Sequence, residues 1–150
     1  MRNVCLRIVT ILALVFVLSP FTPAQQRAEV GRLMGHYLAI QASLAKDIAG
    51  SIQKDAEELT AAAEQLQQSD AAFGDVARRA RLINSRDLNA ARFHFSHISE
   101  ALVKVLGGRS GDSGFHFFRC EANGKVWIQR STVPANPYAG GKNCGEEFTK

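Results

Sequence analysis

From about residue 26 to residue 106 the apolar positions recur with a helical period. Val30, Leu33, Tyr37, Ile40 and Leu44 step by three and four, which lays one stripe along one helix face. A break near Lys46 and Asp47 separates this from a second stripe of Ile48, Ile52, Leu59, Ala63 and Leu66, with Asp47 placed to cap it; one long helix also fits the spacing. Ser69 or Asp70 can cap a third segment carrying Phe73, Val76, Ala80 and Ile83. A fourth runs from about Asp87 to Leu106, with Leu88, Ala91, Phe95, Ile98, Leu102 and Val105 in heptad steps. Gly107 and Gly108 are expected to end it in the left-handed conformation that glycine adopts without strain. A helix with a single apolar stripe is not stable alone in water, so these must pack together. The expected fold is mostly α, an antiparallel bundle of three to four helices.

The pattern changes after a Gly- and Ser-rich linker, Gly107 to Gly114. Phe115 to Cys120 and Val126 to Ile128 are β-prone runs, and Asn123-Gly124 between them is a hairpin signal. A two-residue turn there would pair Ala122 with Lys125 and Cys120 with Trp127. Strand alternation places His116, Phe118 and Cys120 on one face. The hairpin spans about residues 114–130. The tail from Val133 to Lys150, with Pro134, Pro137 and Gly140-Gly141, reads as an ordered loop. Phe93 falls outside the stripe of its helix; the aromatic hairpin is the expected cover for it, with a partner protein as the alternative.

Upstream of the helices, Arg2 and Arg7 precede an apolar run from Ile8 to Leu18, followed by Ser19, the helix breakers Pro20 and Pro23, and a small residue, Ala24. This is the order of a secretory signal peptide over residues 1–24, leaving residues 25–150 as a single domain with no transmembrane anchor. The run is well short of the roughly 20 residues that span a bilayer. Loss of Arg2 and Arg7 takes the net charge of the 150-residue chain from +4 to +2, too nearly neutral to argue for a nucleic-acid partner. Hydrophobic residues make up 46% of the chain and charged residues 21%, which excludes a disordered chain. A periplasmic or secreted location follows, and with it an oxidising compartment for Cys120 and Cys144.

Several residues carry candidate chemistry. Cys120 and Cys144 suit either a disulfide or a two-thiolate site for a soft cation, copper or zinc. A bridge closing a loop of this size contributes about 3.5 kcal/mol in the chain-entropy description. His116 is the best additional metal ligand, and His94 and His97, three apart on the fourth helix, form a second candidate pair. Arg78, Arg79, Arg81 and Arg86 form a basic cluster opposed in sign by Glu57, Glu58 and Glu64, read as solvated helix faces. No enzyme signature is present: no phosphate-binding glycine loop, no H-E-x-x-H and no G-x-S-x-G.

Asp87-Leu88, Arg92, Phe95, Ser99 and Ala101-Leu102, followed by Cys120, Trp127-Ile128-Gln129, Asn136-Pro137-Tyr138, Gly140 and Cys144-Gly145, form a pattern. It resembles an exported bacterial family of unknown function, with Tyr37, Leu38 and Leu44 fitting that family's first helix. Members of the family occur alone or attached to periplasmic adaptor subunits of copper and silver efflux pumps. The resemblance implies a helical domain with a short hairpin and a role in handling soft metal ions. It also implies a metal efflux component, or another periplasmic protein, as partner. The sequence departs from the family's metal-binding members. Glu121-Ala122 stand where those carry Pro-Met, and Lys142-Asn143 stand where a Met precedes the second Cys. The expected function is an exported domain that binds a soft metal through Cys120, Cys144 and His116. The alternative is a disulfide-stapled structural or protein-interaction module without a metal.

Overall fold

The computed structural model describes residues 22–107, 114–138 and 144–149. Its elements run α1 (Pro23–Ala45), α2 (Ile52–Leu66), α3 (Ala71–Ala80), α4 (Leu88–Leu106), β1 (His116–Arg119), β2 (Val126–Gln129) and β3 (Glu146–Glu147). Each helix packs on the next in sequence, and β2 packs on α4 and α1, whose side chains meet where Tyr37 stacks on Phe95. The stripes read from the sequence are the core. Leu33, Tyr37, Ile40, Leu44, Leu59, Phe73, Val76, Phe95, Ile98 and Leu102 are all buried.

The helix ends follow local chemistry, with three departures from expectation. Thr22 caps α1 reciprocally with Gln25, and Pro23 opens the helix rather than breaking it. A proline at the first helical position lacks only an N–H that would have no partner there. Export cleavage after Ala24 would remove this cap; the rest of the expected signal, residues 1–21, lies outside the described residues. The break after α1 falls at Lys46 as expected, but Asp47 does not cap α2, which starts at Ile52 behind Ser51. Asp47 instead takes a positive φ of 56°, which Asp tolerates better than most residues, and its carboxylate binds Arg92. Ile48 is consequently left in the turn, 52% exposed, rather than on the core stripe. At the end of α4, Gly107 has a right-handed φ of −59°, so it is not the left-handed cap, and Gly108 lies outside the described residues. Asp70 caps α3 as the pattern predicts, and Asp87, expected only as the start of the fourth helix, caps α4.

The hairpin forms with a longer loop than expected. Phe118 pairs with Trp127 and Arg119 with Val126, and Cys120 N–H donates to Lys125 O at 2.9 Å. The loop therefore holds four residues, Glu121 to Gly124, and Cys120 lies across from Lys125 rather than Trp127. Only Gly124 has a positive φ, 69°; Asn123 instead uses its side chain to accept from Lys125 N–H at 3.0 Å. The shift is by two residues, so each side chain keeps its face. The tail is more than a loop. Glu146 and Glu147 pair antiparallel with Arg119 and Phe118, giving a sheet of order β2-β1-β3.

Candidate functional site

The two faces of the small sheet have different tasks. Phe117, Val126 and Ile128 join the helical core, while Phe118, Cys120 and Trp127 form a second cluster covered by Tyr138 and Cys144 of the tail. The Phe118 and Trp127 rings stack at 5.5 Å. A disulfide joins Cys120 to Cys144 with their Cα atoms 5.3 Å apart. While that bond is intact neither sulfur is a thiolate, and only a thiolate is a strong ligand for a soft metal. Asn136 Nδ2 donates to Cys144 O at 3.1 Å and approaches its Sγ at 2.9 Å. Gly145 lies against the indole, where an added Cβ would come within 2.5 Å of Trp127.

The remaining motif side chains are also turned inward. Gln129 Oε1 accepts from Trp127 Nε1 at 2.8 Å and Ala135 N–H at 2.9 Å, and its Nε2 donates to Ser131 O and Val133 O. Asn136 Oδ1 accepts from Tyr138 N–H at 2.8 Å, the turn its Asn-Pro sequence predicts. Gln41 on α1 reaches Ala135 O. Arg92 Nε donates to Pro137 O at 2.9 Å, and its Nη2 donates to Leu44 O at 2.8 Å and to Asp47. One guanidinium thereby ties α4 to the end of α1 and to the tail.

A chain of hydroxyls completes the interior. Ile128 N–H donates to Tyr37 Oη at 3.0 Å, Tyr37 Oη lies 2.7 Å from Ser99 Oγ, Ser99 Oγ 3.0 Å from Tyr138 Oη, and Tyr138 Oη 2.7 Å from Val126 O. Each hydroxyl has one hydrogen, the amide can only donate and the carbonyl can only accept. The hydrogens must therefore run one way, from Ile128 through Tyr37, Ser99 and Tyr138 to Val126. The two backbone groups are the ones β2 turns away from β1, so the tyrosines close the free edge of the sheet. Burial pushes both phenols well above the usual tyrosine range, against the smaller opposing effect of the Ser99 hydrogen bond.

The sequence-predicted ligands do not converge. His116 shares the strand face of Cys120, but its Nδ1 lies 2.6 Å from Glu147 Oε1. His94 and His97 sit on α4 beside Phe93, with ring centroids 5.3 and 4.9 Å from the phenyl ring. His94 Nδ1 is buried without a hydrogen-bond partner, and desolvation, then Arg79 and His97, holds its pKa below the usual histidine value. Among the described residues no group of three His, Cys, Asp or Glu is arranged to hold a metal ion. Phe93 itself is 54% exposed: the hairpin covers the seam of α1 and α4 instead, so the expected aromatic cover does not form. Of the basic cluster, Arg81 pairs with Glu64 across to α2, and Arg78 pairs with Asp75 on its own helix. No helix among the described residues is long and apolar enough to cross a membrane.

The polar hub of Arg92, Ser99, Gln129 and Tyr138 was not apparent from spacing. Each belongs to the pattern that suggested the family resemblance, but nothing in a linear pattern says which of them meet. No protein-family model, curated protein or solved structure matches the chain.

Proposed function

We propose that this chain is an exported, disulfide-stapled helical module that binds a partner protein, and that Cys120 and Cys144 hold its structure rather than a metal. The observation that carries this reading is the use already made of the motif. Cys120 and Cys144 are joined, and Trp127, Gln129, Asn136, Tyr138 and Gly145 all contact or bond the tail and hairpin from within. A set of residues spent on internal packing leaves binding to the outer helix faces. The absence of Met beside either Cys supports the same reading, since thioethers are the usual companions of thiolates in a Cu(I) site.

Two measurements test it. Non-reducing peptide mapping of protein from the cell envelope should recover the Cys120–Cys144 linked peptides, and titration of that oxidised protein with Cu(I) and Zn(II) should show no binding that Cys120→Ser or Cys144→Ser abolishes. Photo-crosslinkers placed singly at the exposed positions Ala42, Gln53, Phe93 and Val133 in the native host should give a discrete protein adduct from at least one. Free thiols that bind metal, or no adduct at any position, would overturn the reading.

A further inference from the structure

We propose that the α3–α4 face centred on Phe93 docks an acidic segment of another protein, one that places an apolar side chain on the phenyl ring between carboxylates. This deepens, and rests on, the reading of the chain as a partner-binding module. Phe93 is the exposed aromatic of the bundle, and it is not loose: the imidazoles of His94 and His97 meet its ring edge-on from one residue and one helical turn away. An aromatic already held in one orientation loses little freedom on binding, which is how a few anchors come to dominate protein interfaces.

The charge beside it identifies the occupant. A groove of about 340 Å³ runs between α3 and α4, lined by Asp75, Arg78, Arg79, His97, Glu100 and Lys104. Only one of its two carboxylates is held in an ion pair. Asp75 binds Arg78, and Glu100 lies 3.5 Å from His97 Nδ1. Arg79 and Lys104 have no acidic partner among the described residues. Two unmatched cations along one groove, next to one fixed aromatic, call for two carboxylates around one apolar group. A continuous polyanion fits less well, because the carboxylates of Asp75 and Glu100 interrupt the positive surface. Separate acidic side chains can bypass them.

The test uses the oxidised chain, isotope-labelled for NMR, and a short synthetic peptide of Glu and Asp around one central Leu. Saturable shifts should cluster on residues 75–82 and 93–104 and shrink as salt rises from about 50 to about 300 mM. Phe93→Ser should weaken binding roughly tenfold, and Arg79→Gln and Lys104→Gln several-fold each, with unchanged thermal melting, since Phe93 and Lys104 are exposed and Arg79 is half-buried. The same peptide with Lys for its acids should not bind. Binding unaffected by Phe93→Ser, equal binding of the Lys peptide, shifts centred elsewhere, or no binding would each overturn the proposal. So would a response to anionic vesicles that depends on Phe93 without a response to the peptide, which would make a membrane the occupant. A crosslinked partner at Ala42, Gln53 or Val133 but not at Phe93 would sink this surface while leaving the module reading intact; no adduct anywhere would remove both.

Discussion

Tyr37 Oη and Ser99 Oγ lie 2.7 Å apart although 62 residues separate them in the chain. Ser99 bridges the hydroxyls of the α1 tyrosine and the tail tyrosine, and it is fully buried. Removing it leaves Tyr37 without an acceptor and Tyr138 without a donor in the buried interior. Ser99→Ala is expected to cost about 1–3 kcal/mol in urea unfolding. Tyr37→Phe should cost a similar amount, because it orphans the Ile128 amide. The double variant should cost less than the sum, since both remove parts of one chain. Additive losses would show that the hydroxyls are not coupled.

Gly145 tests how the tail seats on the hairpin. A Cβ there would come within 2.5 Å of one indole carbon and 2.8 Å of another, too near for any side chain. The ring is stacked on Phe118 and cannot slide without disturbing it. Gly145→Ala should cost about 1–3 kcal/mol by overpacking and shift the emission of Trp127. The chain has one Trp, so the fluorescence signal is unambiguous. An unchanged spectrum with unchanged stability would mean that the tail does not pack there.

Arg92 donates to two backbone carbonyls and one carboxylate on three segments. Lysine carries the charge but not the planar fork, so Arg92→Lys should recover little of what Arg92→Ala loses. Both are expected to destabilise by about 2 kcal/mol or more, the cost of leaving buried polar groups unpaired. Faster amide exchange around residues 44–47 and 136–138 in Arg92→Lys would confirm the three-way tie. Full rescue by lysine would show that charge alone matters.

The alkaline limb of stability should report the two phenols. Both are held protonated in the folded chain by burial, above their unfolded value of about 10. A raised folded pKa means that the native state keeps protons the unfolded state releases, so this contribution is complete below about pH 10 and is lost as pH rises beyond it. Tyr37 and Tyr138 are the only tyrosines, so absorbance at the phenolate band should rise only with unfolding. A tyrosine that ionises reversibly near pH 10 in the folded chain would contradict the buried chain of hydroxyls.

The sequence by itself determined the helices and most of their core. Leu33, Tyr37, Phe73, Val76, Phe95 and Ile98 are buried because their spacing leaves them no other face, and Asp70 caps because a carboxylate before an apolar run has orphan amides within reach. The hairpin was legible for the same reason: alternation and Asn123-Gly124 are local signals. Its register was not, because a four-residue loop and a two-residue loop share those residues, and the choice rests on how Phe118 and Trp127 stack. Nor was β3, since Glu146-Glu147 has no strand pattern and pairs only because the bond from Cys144 brings it beside β1. Asp47 looked like a cap and became the partner of Arg92, a residue 45 positions away. Phe93 looked coverable and is left outside because the sheet settles over α1 and α4, where Tyr37 and Tyr138 can saturate its edge. Local propensity sets which segments form. Which polar groups meet is decided in three dimensions, because a buried hydrogen bond needs its partner in space and takes no account of distance along the chain.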